Sequence, residues 1–180
     1  MSVNADAETP IVISVLAPPI PPQALDLLYL IADASGTPMD RETFDVAFER
    51  HYEPELDTVL KAVPAASAPG IPRRRKRRNS IFAGLLRYGP WPRPGQSDPA
   101  VPAEGIAPHI FDVVVDPAWR GRGVGHRLME DGFRRLREDG APVVHSRTSV
   151  RNTAAVALHH ASGFTVMREE EGYYIWRLQL

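Results

Sequence analysis

A chain of 180 residues with 43% hydrophobic content is long enough for one domain around a real core, and its formal net charge of −1 gives no overall pull toward nucleic acid or a membrane surface. It has no cysteine, which removes disulfides, thiolate zinc sites and a cysteine nucleophile. The N-terminus MSVNADAETP lacks the charged and apolar regions of a secretion signal, and no apolar run approaches the roughly 20 residues of a spanning helix, so a soluble, cytoplasmic protein is expected.

In chain order, IVISVLA (11–17) is β-branched and bounded by prolines, and predicts a first strand. Prolines open PPQALDLLYLIADASG (21–36) and Gly36 closes it, the asymmetry of a helix. Asp40 is placed to cap a second helix over 40–53, with Phe44, Phe48 and His51 on one face. DTVLKAV (57–63) has a weak strand pattern, and the composition of residues 64–79, which include the basic run RRRKRR, predicts a loop. SIFAGLLRYG (80–89) predicts a strand. Six prolines then fall between Pro90 and Pro108, which predicts a long connection that is neither helix nor interior strand.

HIFDVVV (109–115) predicts a strand, and Val124, Leu128, Phe133 and Leu136 are spaced as the buried face of a helix that Gly140 ends. APVVHSRTSV (141–150) predicts another strand, followed by a short helix in NTAAVALHHAS capped by Asn152. FTVMREE and YYIWRLQL close the chain as two strands, turning at Glu171 and Gly172. No internal repeat is present. The C-terminal order of strand, glycine turn, helix, strand, helix, strand, strand is an α/β pattern with at least one right-handed βαβ crossover.

The turn itself is VVVDPAWRGRGVG, with Gly121, Gly123 and Gly125 at alternate positions beside Arg120 and Arg122. Leading amides of a helix lack intrahelical partners and, with the helix dipole, favour an anion. Glycines let the backbone approach a ligand closely. A diphosphate cradle accounts for this composition; a tight connection without a ligand is the alternative. The phosphate loop that ends in Gly-Lys-Ser/Thr is excluded because no lysine is present, and Gly-x-Gly-x-x-Gly fails because its third glycine falls on His126 or Leu128.

RGRGVG (120–125) matches Arg/Gln-x-x-Gly-x-Gly/Ala, and NTAAVALHHASGF (152–164) matches Asn-x-x-Ala-x-x-Leu-Tyr-x-x-x-Gly-Phe except at the tyrosine. Both motifs, in this order, resemble the GNAT superfamily of acyl-CoA-dependent N-acyltransferases. The resemblance is specific from about His109 to the C-terminus, loose over 10–60, and limited to one strand over 64–107. It implies a single-domain, GNAT-like α/β fold whose mixed, mostly antiparallel sheet is flanked by helices.

It further implies an acetyltransferase that uses acetyl-CoA as cosubstrate and no metal. Val113, Val114 and Val115 would pair with the pantetheine arm. Arg120, Gly121, Arg122, Gly123, Val124, Gly125 and His126 would hold the diphosphate, and Asn152 would touch the coenzyme while also serving as an N-cap.

The reaction is attack of a neutral amine on a thioester. An alkylamine must first lose a proton, the oxygen that gains charge needs a donor such as a backbone N–H of the central strand, and the departing thiolate benefits from a proton. His159 stands where the family often has a tyrosine acid, and it donates as a strong acid only if its pKa is raised. Arg147 stands where some members have a glutamate base, and an arginine cannot act as one. Asp112 is the replacement candidate, with His109 and His145 behind it, and a structural role for Asp112 is the even alternative. Tyr173 and Tyr174 are strand-packing residues of which one could reach the sulfur, and His160 is a solvated helix residue.

The acceptor amine, whether small molecule or protein, is not written in any motif. The run Arg73–Arg78 reads as a solvated loop, since no aromatic residue interleaves it and the rest of the chain is not basic. A second reading of the whole chain is a non-catalytic acyl-CoA-binding module that docks nucleic acid through that run.

Overall fold

The computed structural model describes residues 10–34, 39–65, 81–93 and 106–180. Seven strands form one sheet: β1 (Ile11–Val15), β2 (Thr58–Pro64), β3 (Gly84–Trp91), β4 (Ala107–Val115), β5 (Val143–Ser149), β6 (Thr165–Glu170) and β7 (Tyr173–Gln179). Their spatial order is β1-β2-β3-β4-β5-β7-β6. Every neighbouring pair is antiparallel except β4 with β5, the one parallel pair. That pair is joined through α3 (Val124–Glu138), as the expected βαβ crossover requires. Among the described residues, no helix is long and apolar enough to cross a membrane.

Alternation along the strands sends successive residues to opposite faces, and each face is covered by helices. Leu60 and Leu86 pack with Leu128, Met129 and Phe133 of α3 and with Trp176 of β7. Their neighbours Val59 and Leu85 pack on the other face with Leu27 and Leu28 of α1 (Pro22–Ala34) and Phe48 of α2 (Arg41–His51). Burying one such side chain contributes about 1.5–3 kcal/mol. Asp40 caps α2, its carboxylate accepting from the Thr43 N–H at 2.7 Å. On that helix Phe44 and Phe48 stack at 6.0 Å and Tyr52 continues the stack at 5.2 Å, while His51 is exposed. Gly140 ends α3 with φ +79°, and Glu171 and Gly172, both at positive φ, make the β6–β7 turn.

Two expectations change. The third strand begins at Gly84 rather than residue 80, so Ile81–Ala83 lie outside it. The Pro90–Pro108 segment is not wholly a connection, because β3 continues through Pro90 to Trp91, and β4 starts at Ala107, with Pro90 opposite Pro108. The prolines are tolerated because Pro90 lies beyond Tyr88, the last β3 residue that β2 pairs, and Pro108 precedes His109, the first β4 residue that β5 pairs. Their missing N–H groups therefore cost no ladder bond on the outer side. The basic run Arg73–Arg78 and most of the proline-rich segment lie outside the described residues.

Candidate active site

The centre of the sheet is forked. β4 and β5 pair only at His109–His145 and Ile110–Ser146, after which they part. A bulge coincides with the parting: Arg87 faces Asp112 and Tyr88 faces Ile110, leaving Phe111 as an extra residue on β4. A bulge kinks its strand and re-aims the side chain. The Phe111 ring sits under two guanidinium groups, with Arg87 Cζ 4.8 Å and Arg93 Cζ 4.7 Å from its centroid. Beyond the bulge, residues 111–115 have no partner strand on the β5 side.

A slot of about 560 Å³ opens there. Val113, Val114 and Val115 line one wall, and Thr148, Ser149 and Asn152 line the other. The glycine turn closes its end. Gly121 and Gly123 both have φ +72°, and a Cβ built on either meets nothing within 4 Å. Gly123 is the N-cap of α3 and offers no side-chain cap, so the leading amides of that helix have no side-chain partner from it. Arg120 braces the turn through Nε to the Val115 carbonyl at 3.3 Å, and Arg122 lies over the Trp119 ring at 5.4 Å. Gly125 and His126 also line the slot, although His126 Nε2 stands 3.2 Å from Glu130. The arrangement suits an anion on the turn with an extended arm along β4, so the residues present fit coenzyme A.

Asn152 caps α4 (Thr153–Ala161), its Oδ1 accepting from the Ala155 N–H at 3.1 Å, and it faces the slot from the cap position. His159 is 4% exposed and stacks on Trp176 at 5.1 Å. Its Nδ1 lies 2.7 Å from the Ala155 carbonyl, so that nitrogen carries the proton. Its Nε2 lies 2.9 Å from Ser146 Oγ, which is itself 3.1 Å from the Ile110 carbonyl at the fork. Burial, chiefly, lowers the pKa of His159; the Ala155 contact opposes the shift and His160 adds to it. The raised pKa that direct donation requires is therefore absent, and His159 meets the slot beside Ser146.

Asp112 lines the slot with its carboxylate held by Arg87 Nε at 2.5 Å, an arrangement that favours the structural reading of that residue. Tyr173 lines the slot beneath the Arg147 guanidinium, 4.1 Å above its ring, and Tyr174 packs edge-on against Trp176. His160 is exposed, with its ring edge-on to Trp176.

A second cavity, of about 300 Å³, adjoins the fork and shares Phe111 and Arg147 with the slot. Behind it lies a buried ion network that the sequence reading missed. Asp57, whose side chain is fully buried, receives Arg87 at 3.1 Å and Arg93 at 2.9 Å, and the two arginines also donate to the His51 carbonyl. The signal was present: Arg87 and Asp112 are the single charges in two apolar strands, and they face each other. His109 lines this cavity with its pKa pushed down to about 3 by desolvation, then by His145 and by the guanidinium groups of Arg147 and Arg87. It is neutral at pH 7.

The acetyltransferase (GNAT) family model matches residues 41–164, beginning well upstream of the motifs. A mycothiol acetyltransferase of Nocardiopsis dassonvillei is 42% identical over 57 residues, which are 32% of this chain and 17% of that protein. The L-methionine sulfoximine/L-methionine sulfone acetyltransferase of Salmonella typhimurium is 26% identical over 113 residues, 62% of this chain and 61% of that one. The chain thus spans less than two thirds of either relative. The PaiA N-acetyltransferase of Thermoplasma acidophilum, solved in complex with coenzyme A, superposes with a TM-score of 0.60 over 95% of this chain and 99% of that one at 13% identity, a likeness of fold.

Proposed function

Because the chain belongs to the GNAT acetyltransferase family, we propose that it transfers an acetyl group from acetyl-CoA to an amine by direct attack in a ternary complex. The observation that carries this reading is the pairing of an open glycine turn at the head of α3 with an unpaired stretch of β4 leading to the fork. The turn from Arg120 to His126 would hold the diphosphate, residues 113–115 the pantetheine arm, and Asn152 the other wall. Bound acetyl-CoA supplies an acyl carbon attached to a thiol leaving group. The second cavity seats the amine, since it reaches the fork at Phe111.

The residues at the fork supply a proton route. Neutral His159 presents its Nε2 lone pair to Ser146, whose hydroxyl donates to the Ile110 carbonyl and rotates to Nε2 to enter the route. As the amine attacks, Ser146 takes a proton from nitrogen and passes its own to His159 Nε2. The imidazolium then donates at both nitrogens, to Ala155 and Ser146, and the same proton returns through Ser146 to the departing sulfur. A β4 backbone N–H on the unpaired side donates to the carbonyl oxygen as it gains charge. Asp112 holds Arg87 and takes no part in the proton route.

Calorimetry with coenzyme A, followed by free-thiol release from acetyl-CoA across a panel of amines, tests the reading. Micromolar binding and amine-dependent thiol release are expected. Absence of coenzyme binding would overturn it, and binding without release from any amine would leave a non-catalytic binding module.

A further inference from the structure

The charged side chains that line the second cavity are Arg87, Arg93 and Arg147, and among the described residues no aspartate or glutamate joins them. The carboxylates stand behind the arginines: Asp57 is shared by Arg87 and Arg93, Asp112 is held by Arg87, and half-exposed Glu53 lies 3.7 Å from Arg93 Nε. Arg147 has no carboxylate partner among the described residues and rests only on the face of Tyr173. Arg93 is 4% exposed and its Nη1 is enclosed by protein, so Arg147 is the cavity arginine that a ligand can reach.

We propose that the acceptor is a small amine carrying a carboxylate, held by Arg147 while its nitrogen faces the fork. The inference rests on the acetyl-transfer reading above. Three features of the cavity select this class. About 300 Å³ is the small end of ligand pockets and suits a molecule of amino-acid size. Arg87 and Arg93 are neutralised by the carboxylates behind them and Arg147 is not, so the cavity complements a monoanion better than a dianionic phosphate. Trp91 and Phe111 supply apolar surface for the carbon skeleton.

The same charge also prepares the nucleophile. Arginines near the nitrogen disfavour its ammonium form, so the amine gives up a proton to solvent more readily on binding. The neutral nitrogen then forms a bond to the acyl carbon, the carbon–sulfur bond breaks, and the proton lost from nitrogen ends on sulfur. The products are an N-acetylated carboxylate and coenzyme A thiol.

The test uses matched triplets: an α-amino acid, its primary amide, and the decarboxylated amine, for several side chains. Two charge-assisted hydrogen bonds predict a preference of about a hundredfold or more in kcat/KM for the carboxylate member. Arg147 is exposed, so Arg147→Gln folds; it should reduce that preference to roughly tenfold, through KM, and Arg147→Lys should restore part of it. Binding of each triplet member to the coenzyme-loaded protein is measured alongside by calorimetry.

Equal rates within triplets, acetylation confined to peptides with blocked carboxyl ends, or no carboxylate binding by the loaded protein would each overturn the inference. Loss of coenzyme A binding in the wild type would instead overturn the acetyl-transfer reading. The two failures are therefore read on different measurements.

Discussion

Replacing Gly123 by alanine should separate the turn's ligand role from its conformational role, provided Gly140→Ala is made beside it. Both glycines have left-handed backbones, φ +72° and +79°, and a Cβ on either meets nothing within 4 Å. Neither variant clashes, so each loses stability only through the strain of a non-glycine residue there, about 1 kcal/mol. For a chain of this length that lowers Tm by roughly 2–4 °C in both. Their surroundings differ. Gly140 follows the far end of α3, whereas Gly123 caps its head and lines the slot.

A methyl group on Gly123 occupies the space an anion needs to approach the leading amides. Losing one charge-assisted hydrogen bond costs about 1.5–3 kcal/mol, a roughly ten- to hundredfold weaker Kd. Thermal melts of the unliganded proteins and calorimetry with coenzyme A measure the two quantities independently. The expected pattern is equal losses of Tm with coenzyme affinity lost in Gly123→Ala alone. Equal affinities in the two variants would refute the placement of the diphosphate on this turn.

Asp57→Ala removes the carboxylate shared by two buried arginines and should lower stability by about 3–5 kcal/mol in urea titrations; a loss below about 1 kcal/mol would mean that Arg87 and Arg93 are hydrated in its absence. His109, held near 3 against an ordinary value near 6.5, makes stability fall in acid. The unfolded chain takes up a proton below about pH 6.5 and the folded one does not until near 3, so stability is lost as pH falls through that window. Between pH 7.5 and 5 the loss is at most about 2 kcal/mol from this residue, and His109→Gln should remove it; identical pH dependence in variant and wild type would sink the assignment. Ser146→Ala should lower turnover about a hundredfold with little change in coenzyme A affinity. Wild-type activity should fall as acid protonates His159, at a pH below the ordinary histidine value because burial lowers its pKa, and activity that instead rose toward low pH would reverse the proton route.

Where each element lies along this chain was set by short-range chemistry, which a sequence displays directly. Asp40 and Asn152 cap helices because a side-chain oxygen two or three residues from a bare amide can only do so locally. The buried face of α3 and the glycine turn at its head are likewise visible, since helical period and left-handed backbone are properties of neighbouring residues. The anion-binding character of the turn over 120–126 is legible for the same reason, whereas Val113–Val115 are named only through the resemblance carried by the two motifs.

The chemistry at the fork was decided only by tertiary structure. Pro90 and Pro108 entered strands because the neighbouring ladders stop short of them, which depends on register between distant segments. His159 acquired a buried partner in Ser146, 13 positions away, and burial lowered the pKa that direct donation needed raised. Asp112 met Arg87 across 25 positions, and Arg93 met Asp57 across 36. A side chain's charge, exposure and proton affinity depend on what the fold packs against it, and alternation or spacing along one segment carries no record of a partner on another.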